Sequence, residues 1–202
     1  MSVLFLVGVF SCLITKWVFS MGKLFKKSDF FSEVKADLKA NGSSGKITTG
    51  LRLLLLDQGI QLLFCYRLQY RLHRQSFIGR FVARVISYWA QVITGSQISS
   101  TARLEGGIVI PHANGIVIGR DVVMKTGTSI YQQVTLGADK MGLFPTVLEK
   151  VTIYPGAKVI GSVCLGANST IGANSVVIRD VAAGDIVAGV PARVIQKFEM
   201  DK

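Results

Sequence analysis

The chain has 202 residues, of which 50% are hydrophobic and only 17% charged, and 23 Lys and Arg against 12 Asp and Glu give a net charge of +11. That length allows one good core, or a small domain beside a repeat domain, and so apolar a composition means that membrane or partner subunits cover part of the surface. The positive charge is concentrated in residues 1–103, which hold 14 Lys and Arg against 4 Asp and Glu, but it lies among leucines and phenylalanines with no nucleic-acid-binding module, which excludes nucleic acid and points to an anionic membrane surface.

Residues 1–27, MSVLFLVGVFSCLITKWVFSMGKLFKK, read as a hydrophobic and basic membrane-associating segment. It lacks the basic start and small-residue cleavage site of a signal peptide. Lys23, Lys26 and Lys27 favour keeping the downstream chain in the cytoplasm, at the inner face of the membrane. Lys16 would be costly in mid-bilayer unless it snorkels, so spanning the membrane and lying on it both stay open.

Residues 28–94 read as an α-helical region. Ser28 is placed to cap a first helix that ends in a Gly/Ser loop, and the stretch from Leu51 to Thr94 has helical patterning. Its arginines at 67, 71 and 74, and then 80 and 84, fall on helix faces, and a break near Gly79 predicts two helices. Six arginines from Arg52 to Arg84 meet one aspartate, Asp57, and His73 belongs to the same solvated basic face. Cys12, Cys65 and Cys164 form neither a metal-spaced cluster nor an even disulfide set, so they read as small buried hydrophobes in a reducing compartment, and no metal is expected.

From Ile98 the period changes. Aliphatic residues recur every six positions at Ile98, Leu104 and Ile110, again at Ile118, Met124, Ile130 and Leu136, and again from Val147 through Ile153, Val159, Leu165, Ile171 and Val177. Six-residue units suit a short strand and a tight corner, three units closing one coil with the aliphatics stacked inside. The fold class is therefore mainly β, a parallel β-helix over residues 95–195 with the helical region before it and a tail at 196–202.

Two interruptions break the frame: Ile110 to Ile118 carries His112, and Leu136 to Val147 carries GADKMGLFPT. Insertions in solenoids commonly map to the binding face, so these two are expected to flank one cleft. A histidine beside such a cleft suits a general base, which a hydroxyl needs if it is to attack near neutral pH.

The six-residue repeat, the HANGIVIG turn, SIYQQVTLGADK and the ending IVAGVPARVI resemble the hexapeptide-repeat acyltransferases, within them the serine acetyltransferase branch. The resemblance runs over about two thirds of the chain. It implies a left-handed β-helix, an exception to the right-handed crossover rule. It also implies acetyl-CoA as co-substrate, bound in a groove between the subunits of a homotrimer or a multiple of it. His112 then matches the catalytic base, Gln97 the group that orients it, and Gly137 the donor to the oxyanion. Ala157, Ser175 and Arg193, spaced 18 residues apart, are expected to stack along coenzyme A, with Arg193 at its phosphate end.

The departures shape the expected acceptor. Pro111 stands where these enzymes have an aspartate before the histidine, Gln97 where a second aspartate supports the imidazole, and Leu143-Phe144-Pro145 where Arg-His-Pro would grip a carboxylate. A site so poor in charge points to a sugar hydroxyl of a surface polysaccharide or a lipid-linked glycan, met by Asn114, Tyr131, Gln132, Gln133 and Phe144. Serine O-acetyltransferase is the alternative enzyme, and a non-catalytic repeat scaffold the alternative outside enzymes.

Overall fold

The computed structural model describes residues 29–43, 45 and 47–197. The segment 1–27, the Ser28 cap and the tail beyond 197 lie outside the described residues. Four helices come first: α1 (Asp29–Ala40), α2 (Ile47–Leu56), α3 (Gln58–His73) and α4 (Phe77–Thr94). Asp57, the one aspartate set against six arginines, caps α3 by accepting from the Ile60 amide at 2.9 Å. The expected break near Gly79 falls earlier. Ser76 caps α4 through the Gly79 amide, which puts Gly79 inside the first turn of the helix. A β-carbon at Gly79 would lie 2.3 Å from the Leu72 carbonyl, so the glycine marks the close approach of α4 to the end of α3.

Gly95, in the left-handed region at φ 64°, ends α4 and hands the chain to the solenoid. The β-helix is left-handed and makes about five turns, with its strands in three parallel stacks. The first stack holds β1 (Gln97–Ile98), β3 (Val117–Ile118), β6 (Thr135–Gly137), β9 (Lys158–Ile160) and β12 (Val176–Val177). The second holds β2 (Arg103–Leu104), β4 (Val123–Met124), β7 (Thr146–Val147) and β10 (Cys164–Leu165). The third holds β5 (Ser129–Ile130), β8 (Thr152–Ile153), β11 (Thr170–Ile171) and β13 (Ile186–Gly189), and ends on β14 (Ala192–Gln196), which turns back antiparallel to β13.

Strand alternation explains why such short strands suffice. The first residue of each pair faces outward and the second inward, so the repeated aliphatics from Ile98 to Val177 are all buried in one column of side chains. Each burial contributes about 1.5–3 kcal/mol, and the parallel ladders satisfy the backbone between coils.

The helices are fastened to this prism by Leu62, Leu63, Tyr66 and Ala90, which join the solenoid core, and by a set of buried polar groups. Helical spacing groups Arg67 with Arg71 and Arg74 on a basic face, but its side chain is only 2% exposed. Its guanidinium donates to both carboxylate oxygens of Asp37, at 3.1 and 3.3 Å, and to the carbonyls of Leu104 and Glu105. Asp37 in turn accepts from the Gly107 and Ile108 amides at 2.8 and 3.1 Å. The Tyr66 hydroxyl donates to the Ala102 carbonyl and accepts from the Leu104 amide, and burial pushes its pKa up to about 12. Gln69 donates to the Ile98 carbonyl. At Gly59 a β-carbon would sit 2.0 Å from the Ile110 carbonyl, so α3 lies directly on the coil that carries His112.

Candidate active site

His112 lies in the turn that leaves the third stack after Ile110 and enters the first stack at β3. Two extra residues bulge this turn outward, which leaves Pro111, His112 and Asn114 exposed while Ala113 and Ile116 stay in the core. The turn is held by the Asn114 amide, which donates to the His112 carbonyl at 3.1 Å, and by the Asn114 carbonyl, which accepts from the Gln133 amide at 2.8 Å.

Directly above, in the next coil, come Tyr131, Gln132 and Gln133. The Tyr131 ring stacks on Tyr154 of the following coil, with centroids 5.3 Å apart and planes 11° from parallel. Gln133 adopts φ 59°, which turns its carbonyl toward the Lys158 ammonium. The side-chain oxygen of Gln132 is buried and has no hydrogen-bond donor among the described residues. An unpaired buried acceptor is unfavourable, and a donor on a bound molecule would relieve it.

Ala157 and Ser175 occupy the same edge, just before β9 and β12, both fully buried. The Ser175 hydroxyl accepts from the Gly189 amide at 3.1 Å. Arg193 does not continue their stack by the 18-residue interval. It lies on β14, paired antiparallel with Ala188 of β13. Its guanidinium is exposed and donates to the Ala192 carbonyl.

Gly137, half-buried, closes β6, and the long insertion leaves the prism after it to return at β7. This loop therefore departs from the edge between the first and second stacks, whereas His112 stands on the edge between the third and first. The two insertions do not adjoin one another but mark opposite borders of the first stack. Phe144 folds back from the loop against the core, so close to Gly119 that a β-carbon there would lie 2.3 Å from its ring. Gln97, at the start of β1, is exposed, and among the described residues no hydrogen bond joins it to His112.

A second concavity has no signal in the sequence. It lies between α3, α4 and the first two coils, and its lining includes His73, Arg80, Arg84, Gln97 and Arg120. Arg80 and Arg84, one helical turn apart, read from spacing alone as part of a membrane-facing surface, and nothing local marks Arg120 as their partner. Cys65 and Cys164 are free thiols, and burial pushes the Cys65 pKa up, away from reactivity. Among the described residues no group of His, Cys, Asp or Glu is arranged to hold a metal ion, and no helix is long and apolar enough to cross a membrane.

No family profile matches the chain. Individual relatives do: a serine acetyltransferase of Helicobacter pylori is 40% identical over 148 residues, covering 72% of this chain and 85% of that protein. Another from Synechococcus elongatus is 39% identical, covering 73% of this chain and 61% of its own length. Among solved structures, a serine acetyltransferase in complex with CoA matches with a TM-score of 0.76 at 30% identity, covering 86% of this chain and 73% of the other. The Neisseria gonorrhoeae serine acetyltransferase in complex with serine matches with a TM-score of 0.77 at 29% identity, covering 87% and 72%. These likenesses overturn the expected sugar acceptor, because the proteins this chain is similar to over most of its length are serine acetyltransferases. The charge missing at Pro111 and in the Leu143-Phe144 loop is thus a poor guide to the acceptor. The chain belongs to the serine acetyltransferase family and is an acetyl-CoA-dependent O-acetyltransferase.

Proposed function

We propose that the protein transfers the acetyl group of acetyl-CoA to the side-chain hydroxyl of L-serine, with His112 as general base. The 40% identity to a serine acetyltransferase over 85% of that relative's length is the observation that supports this most. As the serine oxygen attacks the thioester carbonyl carbon, an imidazole nitrogen of His112 takes its proton. The new C–O bond forms, the C–S bond breaks, and the proton passes from the imidazolium to the departing thiolate. Transfer is direct, with no acyl-enzyme.

The remaining roles belong to the same reading. The backbone amide of Gly137 stabilises the oxyanion, Ala157 and Ser175 let the pantetheine arm lie close, and Arg193 meets a phosphate of coenzyme A. Gln97 orients the imidazole without adding charge. Asn114, Tyr131, Gln132 and Gln133 contact the acceptor, the orphan oxygen of Gln132 taking one of its donors. Phe144 supplies an apolar wall.

Because His112 and Phe144 border opposite edges of one stack, a neighbouring copy is needed to bring such edges together, which supports a homotrimer. Membrane association through residues 1–27 has support in α4, whose exposed Phe77, Phe81, Tyr88 and Trp89 share a helix with arginines and no acid. The functional division is then a membrane-associating segment at 1–27, a helical region at 28–94, a catalytic β-helix at 95–195 and a tail.

The test is thiol release from acetyl-CoA by purified full-length protein with L-serine as acceptor. Turnover at sub-millimolar to millimolar L-serine is expected. Absence of turnover at saturating acetyl-CoA would refute the assignment.

A further inference from the structure

We propose that α4 is an interfacial helix that lies in the plane of an anionic lipid bilayer, its outer face among the acyl chains and its arginines at the headgroups. This rests on the membrane association proposed above, which it extends from residues 1–27 to a described element, and it is independent of the acceptor. The helix spans 18 residues, and its faces are reversed from those of a helix that packs a core in water. Gly79, Ala83, Ala90 and Thr94, spaced to share one face, are its buried residues. On the other side Phe77, Phe81, Val85, Tyr88 and Val92 recur at intervals of three and four, and all are exposed. Trp89 and Ile93, also exposed, widen the stripe.

The fold holds this stripe outward. Ala83 is buried in a cluster with Leu72 of α3, and Ala90 joins the solenoid core, so the face of small residues is already committed. At Gly79 a β-carbon would lie 2.3 Å from the Leu72 carbonyl, and a rotation of α4 that brought a larger residue to this contact would drive it into α3. An apolar stripe fixed on an ordered helix is ready for a partner, because covering it requires no ordering of the backbone.

Charge selects a lipid surface as that partner. From Gln58 to Leu104 the chain has no Asp or Glu. Arg80 and Arg84 stand one helical turn apart along one border of the stripe, both exposed, and no salt bridge among the described residues involves them. They also line the concavity beneath α4 together with Arg120, and no acid lines it, so this border is positive in depth. A second copy of α4 laid on the first would bring these arginines into the contact with no carboxylate on either helix to receive them. Lipid phosphates meet the arginines while the acyl boundary takes the stripe, with Tyr88 and Trp89 suited to the level between. Among the described residues no helix is long and apolar enough to cross a membrane, so α4 lies on the bilayer.

The experiment uses the full chain carrying Trp17→Phe, which leaves Trp89 as its single tryptophan, with vesicles of phosphatidylcholine alone or mixed with an equal part of phosphatidylglycerol. Flotation reads binding of the whole protein, and Trp89 emission with quenching by brominated acyl chains reads α4. On the mixed vesicles Trp89 should shift to the blue and be quenched, and less so on neutral vesicles or at high salt. Arg80→Gln with Arg84→Gln should raise the lipid concentration at half-change by roughly tenfold or more. Phe77→Ser with Phe81→Ser, at two exposed positions, should weaken the response on both kinds of vesicle while the thermal midpoint holds. Protein that floats with the mixed vesicles while Trp89 keeps its lipid-free spectrum overturns the assignment of α4 and leaves membrane association standing. Protein that floats with neither overturns both. A Trp89 emission already blue without lipid and unmoved by vesicles means that a second copy or residues 1–27 cover the stripe, and it overturns the lipid assignment.

Discussion

The solenoid and the helices that precede it solve burial in opposite ways. In the solenoid one inward residue per short strand, from Ile98 through Leu136 to Val187, forms a dry column in which every coil repeats the last. The helices add Leu62, Leu63, Tyr66 and Ala90 to one end of that column and bury few other apolar side chains. They are joined to the prism by Asp37, Tyr66, Arg67 and Gln69, whose side chains bond backbone groups of the first coils, and they leave Phe77, Ile78, Phe81, Tyr88 and Trp89 exposed. A repeat is robust because no single coil is special, whereas a polar joint depends on each partner. The two regions meet where Gly59 packs on the coil that carries His112 and where α4 overhangs the first coils.

The comparison is sharpened most by separating chemistry from fold. His112→Ala is expected to cut turnover by about 10²–10⁴ while leaving acetyl-CoA affinity and the thermal midpoint close to wild type, because the residue is exposed. Steady-state kinetics beside a melting curve checks both halves. Retained turnover would remove the base from His112.

Breaking the joint should cost more stability than damaging the repeat. Arg67→Met strands the buried Asp37 carboxylate, at about 3–5 kcal/mol. Leu136→Ala, in the middle of the column, should cost about 2–5 kcal/mol through lost burial and the cavity left behind. Urea unfolding followed by helical ellipticity, with hydrogen exchange of the coil amides alongside, would show whether Arg67→Met releases the helices ahead of the coils. One concerted transition in both variants would contradict a joint that can fail alone.

The joint also carries a pH signature. The Tyr66 phenol has its pKa raised by burial to about 12, so its contribution is complete below the ordinary tyrosine value of about 10 and is lost as pH rises through about 12. Tyr66→Phe should flatten that alkaline loss and, by orphaning the Leu104 amide, cost about 1–3 kcal/mol at neutral pH. Midpoints measured from pH 8 to 12 give the result.

The smallest effect belongs to the surface of the solenoid. The Lys125 ammonium 2.7 Å from Glu105 holds that carboxyl below the usual carboxylate range. Its stabilisation is present above the ordinary glutamate pKa and fades as pH falls through the lowered value. Glu105→Gln should barely move the midpoint at pH 7, as for other exposed ion pairs.

Sequence periodicity is enough to read the column, because in a parallel coil the same side chain must face inward every time, and Ile98, Met124 and Val177 all do so. Periodicity fails once the chain leaves that regime. Arg193 keeps the 18-residue interval but sits on a strand running the other way. Arg67 shares a helical spacing with Arg71 and Arg74, yet only Arg67 finds Asp37, 30 residues earlier, and is buried with it. Spacing along one helix says nothing of a partner on another. The same blindness hides Arg120, which joins Arg80 and Arg84 only through the docking of α4 on the first coils. The acceptor is misread for a related reason: charges missing at Pro111, Leu143 and Phe144 suggest a neutral site, although the chain is similar over most of its length to serine acetyltransferases.

The bonds of Asp37 also impose an order on biosynthesis. The Gly107 and Ile108 amides that it receives lie 70 and 71 residues downstream. At about 5–20 residues per second the ribosome needs about 4–14 seconds to supply them. Until then α1 and α3 have no backbone to meet their buried polar groups, so these helices are made before the coils they depend on, and the emerging first coils act as the template on which they settle. Limited proteolysis of ribosome-bound chains should find α1 cut readily before residue 108 has emerged and protected after the first coils have formed.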